Sequence, residues 1–224
     1  MKTKISSILA FVFHPLWMVT YFSIMCFIAN PILFPYDSFG GNKHLWLILG
    51  FSTFFLPAIS VWLMKMIGFV DSIQLETKNE RIGPIMVTII LYFWTFITFR
   101  HNNGFPEPVK IALLAATISM SLTFLLNLFS KISIHSIGSM SFLCLVVYLI
   151  FRYKVFYWSF PFLFGLSLNV HYVVIIAFCI AMVGAVGSLR MYQKAHKMDE
   201  ILGGYFIGFI SVMFGCFIFS SYFS

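Results

Sequence analysis

The stretch SLRMYQKAHKMDEILGG, from Ser188 to Gly204, gathers Arg190, Lys194, His196, Lys197, Asp199 and Glu200 in a chain that is only 9% charged. His196 and Glu200 stand four residues apart. On a helix that spacing lets a carboxylate reach the imidazole Nδ1, fix its tautomer and leave Nε2 free as a nucleophile or base. A second position of interest is Ser133 with His135, at the start of an apolar run. There the unpaired N–H groups of a helix N-terminus attract anions. A third is Lys78 with Arg81, three residues apart and so on one helical face. Two histidines, two arginines, a lysine and a serine suit a phosphate site. Phosphoryl transfer needs donors on the equatorial oxygens, a nucleophile on one side and a proton donor to the leaving oxygen on the other. No Cys/His cluster, HExxH pattern or carboxylate cluster points to a metal, and no cofactor is called for.

These groups must be positioned by membrane-spanning helices. The 224 residues are 61% hydrophobic, with a mean hydropathy of +0.97. Apolar runs of bilayer-crossing length recur along them. The reading is an all-α, polytopic transmembrane bundle of six to seven spans, forming one integral-membrane domain over 1–224. The spans are placed at roughly 8–29, 45–68, 84–99, 109–129, 134–152, 170–187 and 201–222. Pro84 falls where the first helical turn tolerates proline. The N-terminus resembles a signal peptide but reads as a retained span, because FIA before Asn30 is a poor cleavage site. The aromatic segment 157–169, broken by Pro161 and Gly165, reads as an interfacial loop or a short extra span.

With seven spans, the N-terminus and the loops near 69–83, 130–133 and 188–200 share one side. Nearly every residue able to do chemistry therefore converges on one membrane face. The net charge of +7 is scattered over short loops, as membrane insertion dictates. Anionic lipid headgroups or phosphate are thus the expected partners, and nucleic acid is not. Cys26, Cys144, Cys179 and Cys216 all lie inside apolar runs and read as small packing residues.

In these motifs the chain resembles the type-2 phosphatidate phosphatase superfamily, membrane enzymes that share a catalytic core with vanadium haloperoxidases. The family's third motif is Ser-Arg, five residues, His, three residues, Asp. Arg190, His196 and Glu200 keep that spacing, with Glu for Asp and with Leu189 between Ser188 and Arg190. The second motif, Pro-Ser-Gly-His, reads Ile132-Ser133-Ile134-His135. The first, Lys, six residues, Arg-Pro, survives as Arg81 shortly before Gly83 and Pro84. Gln74 stands at the lysine spacing, and Lys78 is the nearby replacement. The resemblance covers roughly 74–204, within a catalytic-like core of about 74–222.

It implies a metal-independent phosphatase acting on a lipid phosphate or diphosphate through a phosphohistidine. His196 would attack phosphorus, held by Glu200. His135 would protonate the leaving group and then activate water. Arg81, Arg190, Lys78 and Ser133 would bind phosphate oxygens. The family's substrates include polyprenyl diphosphate, phosphatidylglycerophosphate, phosphatidate and lipid A phosphate, and nothing in the chain selects among them. Its location would be the bacterial inner membrane, multi-pass. The alternative is a non-catalytic membrane protein or transporter with a phosphate or anionic-lipid site.

The remaining polar residues divide. His14, about two turns into the first span, either borders the site or serves a kink at Pro15. Asn127, ending the fourth span on the same face, is a second supporting candidate. Lys194, Lys197, Asp199, Glu76 and Glu80 read as solvated surface. Gly204 and Gly208 form a GxxxG pair suited to close helix packing.

Overall fold

The computed structural model describes residues 8–73, 75, 77–161 and 167–223. Gln74 and Glu76, the N-terminal MKTKISS and the segment 162–166 with Gly165 lie outside the described residues. Among the described residues, seven helices are long and apolar enough to cross a membrane: α1 (Ile8–Ala29), α2 (Gly40–Met66), α3 (Asn79–Phe99), α4 (Glu107–Asn127), α5 (Ile134–Tyr153), α6 (Tyr172–Tyr192) and α7 (Met198–Tyr222). The protein is therefore an all-α, multi-pass membrane bundle.

The segment after α5 is neither a loop nor a span. Strands β1 (Tyr157–Pro161) and β2 (Ser167–His171) pair antiparallel, with Tyr157 opposite His171. Along β1 the exposed Tyr157 and Ser159 alternate with the fully buried Trp158. That period of two is a strand's. Composition alone hid it, because an aromatic-rich run suits an interfacial loop and a half-buried strand equally.

α4 is the central helix, packed against α1, α3, α5 and α7. In lipid there is no hydrophobic drive between helices, so close backbone approach and satisfied hydrogen bonds must hold the bundle. α5 and α7 show this. A Cβ on Gly204 would lie 2.8 Å from the Ser133 carbonyl, and one on Gly208 would lie 2.6 Å from that of Ile137. Hydroxyls inside the spans bond back to their own helix, as Thr88 does to Pro84 at 2.8 Å and Ser211 to Ile207 at 2.7 Å.

Two helices depart from regular α geometry at proline. α2 carries a π-helical stretch at Phe51–Phe55 ahead of Pro57. Pro57 offers no N–H, and the Thr53 carbonyl it would have bonded in an α-helix accepts the Tyr92 hydroxyl of α3 at 2.9 Å. α1 breaks at His14, restarts through a 3₁₀ turn at Pro15–Trp17 and continues as Met18–Ala29.

Helix ends differ from the sequence expectation where they matter most. α3 starts at Asn79, in a 3₁₀ turn containing Arg81, rather than at Pro84. α6 runs on to Tyr192 instead of stopping near 187, so Arg190 belongs to its last turn. A cation there is favoured by the helix dipole. The α6–α7 connection shrinks to 193–197, turned by Lys194 in the left-handed region at φ 53°. The Ala195 N–H returns to the Arg190 carbonyl at 3.1 Å, which closes the helix end and delivers His196 beside it.

Candidate active site at one end of the bundle

α7 begins after Lys197, whose backbone is extended, so Glu200 occupies the third helical position. From there its Oε2 accepts the Lys197 N–H at 3.1 Å and His196 Nδ1 at 3.0 Å. Nδ1 also lies 3.0 Å from the Lys131 carbonyl oxygen. A carbonyl only accepts, so Nδ1 carries the hydrogen and Nε2 keeps its lone pair. His196 is 7% exposed. Burial holds its imidazole below the ordinary value of 6.5, Arg81 and Arg190 act in the same direction, and Glu200 opposes them. The ring is therefore neutral near neutral pH, which a nitrogen nucleophile requires.

α5 starts alongside. Ser133 is its N-cap and is fully buried. Its hydroxyl accepts the Ser136 N–H at 3.4 Å and the Ser136 hydroxyl at 2.9 Å. Its own N–H donates to the Glu200 carbonyl at 3.2 Å. Ser133 thus ties the starts of α5 and α7 together, and its hydroxyl oxygen accepts both bonds as the cap, which uses its lone pairs and not its own O–H hydrogen. His135, two residues on, donates Nε2–H to the Ala10 carbonyl at 3.2 Å, leaving Nδ1 with the lone pair. Its ring meets that of His14 edge to face, with centroids 5.3 Å apart. His14 Nδ1 in turn accepts the Leu16 N–H at 3.4 Å. His14 therefore both caps the restart of α1 and borders His135.

Two guanidiniums complete the group. Arg81 is 6% exposed. Its Nε donates to the Leu75 carbonyl at 3.0 Å and its Nη1 to that of Ile132 at 3.1 Å, leaving Nη2 and the second Nη1 hydrogen as further donors. Leu75 holds a left-handed backbone at φ 52° while offering that carbonyl. Arg190 gives one Nη1 bond, to Gln193 Oε1 at 2.8 Å, and its buried Nε–H has no partner among the described residues. The positive charge of Arg190 reaches Arg81, His14, His135 and His196, and His135 in turn feels His196. Two carboxylates act on this group, Glu200 and, at Arg81, Glu80, and both already accept hydrogen bonds from the protein. The result is a partly desolvated cluster that holds two guanidiniums and one buried donor without a partner among the described residues, a setting that favours an anion.

The other predicted residues are engaged in bonds of their own. Lys78 is exposed, and its Nζ donates to the Phe129 carbonyl at 3.3 Å, capping the end of α4. It is not drawn toward the guanidiniums, because a cation gains more at a helix C-terminus than beside two like charges. Asn127 is buried and donates to the Lys78 carbonyl at 2.8 Å, fastening the 71–81 segment to α4. Glu80 is no free surface charge. It accepts the N–H groups of Asp71 at 3.2 Å and Thr77 at 2.9 Å. Lys194, Lys197 and Asp199 are exposed, as read.

Sequence reasoning missed the carbonyls of Ala10, Leu75, Lys131 and Ile132. Every residue has such an acceptor, so no residue type marks them. Among the described residues, no group of three or more His, Cys, Asp or Glu side chains is placed to hold a metal ion. Compared with known proteins, the chain matches no family model, no curated protein and no solved structure.

Proposed function

We propose that the protein is an integral-membrane phosphatase that hydrolyses a lipid phosphate or diphosphate through a phosphohistidine, as its motif resemblance to type-2 phosphatidate phosphatases implies. The observation that carries this reading is the setting of His196. Its Nδ1 is held by a carbonyl and a carboxylate, which leaves Nε2 its lone pair, within electrostatic reach of two guanidiniums, one with a buried N–H that has no partner among the described residues. In the first step Nε2 forms the N–P bond as the P–O bond to the lipid breaks. His135, protonated while the phosphate is bound, gives its proton to the leaving oxygen. In the second step water attacks phosphorus, His135 takes up the water's proton, and the N–P bond breaks to release phosphate and free His196. Glu200 and the Lys131 carbonyl hold Nδ1–H throughout, and Glu200 offsets the charge that develops on the ring. Arg190 and the free end of Arg81 neutralise the equatorial oxygens. The lipid stays in the bilayer while its headgroup meets this cluster, in what we take to be a bacterial inner membrane.

The test is phosphate release from a panel of lipid phosphates and diphosphates by the purified protein, beside His196→Ala and His135→Ala. Near-complete loss in both is expected. Normal turnover by His196→Ala would end the phosphohistidine reading. A second reading, anion binding without hydrolysis, draws on the buried Arg190 Nε–H without a partner among the described residues, which serves an anion whether or not it reacts. It predicts lipid-phosphate binding by the wild type with no phosphate released.

A further inference from the structure

Two grooves open on the lipid-facing surface. The larger, about 460 Å³, lies between α3 and α4 around Ile89, Trp94, Leu114 and Ile118. It sits in the middle of both helices, and none of its lining residues adjoins a site residue in the chain. The smaller, about 330 Å³, lies between α1 and α6 and is lined by Leu9, Phe13, Ala185, Ser188, Leu189 and Tyr192. It lies at the same end of the bundle as the site. Phe13 immediately precedes His14, and Leu189 immediately precedes Arg190. Its wall residues are therefore chain neighbours of the histidine that touches His135 and of the guanidinium whose buried N–H has no partner among the described residues. Leu9 and Tyr192 are 40% and 65% exposed, so one edge is open to the bilayer. An apolar trough on the lipid side, with wall residues next in the chain to an unsatisfied cation, suits a ligand with an apolar chain and an anionic head.

We propose that the groove between α1 and α6 is the lateral entry of the site and seats the apolar chain of a lipid phosphate whose headgroup meets Arg190. The lipid class rests on the function proposed above; the occupancy of the groove does not require hydrolysis. Because bilayer and groove are similarly apolar, seating the chain there adds little affinity. The groove's contribution is alignment: it sets the angle and depth at which phosphorus reaches His196 Nε2. This also gives the extra Leu189 of the third motif a role, as groove wall beside the phosphate-binding arginine.

The experiment uses the full chain in phosphatidylcholine vesicles with a long-chain alkyl monophosphate carrying a mid-chain diazirine. After illumination, labelled peptides are mapped by mass spectrometry. Label is expected within 9–13 and 185–192, reduced by Ala185→Trp, which fills the trough, and by Arg190→Gln, which removes the headgroup anchor. Turnover of a long-chain relative to a short-chain alkyl phosphate is expected to fall about a hundredfold in Ala185→Trp, the scale of loss for a reacting group displaced by about 1 Å. Ser188→Leu, a smaller change on the same wall, should lower that ratio in the same direction. Label confined to 89–94 and 114–122, or spread evenly over the lipid-facing surface, would overturn the proposal. So would an unchanged chain-length ratio in both groove variants. Label in the groove without phosphate release from any lipid would uphold the groove and remove the hydrolytic reading. Loss of release in His196→Ala with label outside the groove would do the reverse.

Discussion

Glu200→Gln isolates the charge of one carboxylate while preserving its shape. In the wild type, Glu200 Oε2 sits 3.0 Å from His196 Nδ1 and 3.1 Å from the Lys197 N–H. A glutamine carbonyl can accept both hydrogens. The tautomer is not at risk, because the Lys131 carbonyl independently accepts Nδ1–H at 3.0 Å. What disappears is the negative charge facing the imidazole as Nε2 bonds to phosphorus. A full charge about 4 Å from a carboxylate at an effective dielectric near 20 interacts by about 4 kcal/mol. If about half of that charge has developed in the transition state, the loss is about 2 kcal/mol, or about thirtyfold in rate. This is far below the roughly ten-thousandfold loss seen when a triad carboxylate is the sole keeper of the tautomer. The assay is single-turnover release of phosphate from a radiolabelled lipid phosphate, with acid-labile phosphoenzyme measured in parallel. A rate within about threefold of wild type would refute a role for the charge. A variant as inactive as His196→Ala would refute the role given to Lys131.

The buried His196 should stay neutral, with hydrogen on Nδ1, below its ordinary value of 6.5. Nitrogen NMR of labelled histidine, assigned by the signal lost in His196→Gln, would show an ordinary or raised titration if this is wrong. The sign for stability follows. As pH falls below 6.5 the unfolded chain takes up this proton before the folded one does, so stability declines from there toward the lower folded value. Gly204→Ala should destabilise the protein by about 1–3 kcal/mol through overpacking, since its Cβ would lie 2.8 Å from the Ser133 carbonyl and 2.9 Å from Ser136 Cβ. Gly184→Ala, with nothing within 4 Å, should be neutral or mildly stabilising, and equal thermal shifts for the two variants would contradict this packing. Asn127→Ala removes the bond to the Lys78 carbonyl. It should cost about 1–3 kcal/mol and speed proteolysis within 71–80, and an unchanged cleavage rate would show that the segment is held elsewhere.

Seven crossings were legible in the sequence because a helix must be both long and apolar to span lipid, and composition records that directly. Their alternation then put Arg81, Ser133, His135, Arg190, His196 and Glu200 on one face. The His196–Glu200 contact was legible because helical spacing is local. What lay beyond the sequence depends on distant segments meeting. The acceptors that set both histidine tautomers are backbone carbonyls at Lys131 and Ala10, 65 and 125 positions from their partners. The segment Tyr157–His171 became a hairpin because Trp158 found a buried place beside α1, a tertiary fact. Lys78 and Arg81 share one short segment, yet Lys78 turns to the end of α4 while Arg81 turns inward to two carbonyls. Residue type and local spacing decided which groups stand at this end of the bundle. The packing of helix ends decided which of them face one another, because hydrogen bonds to the backbone and repulsion between like charges act only once those ends meet.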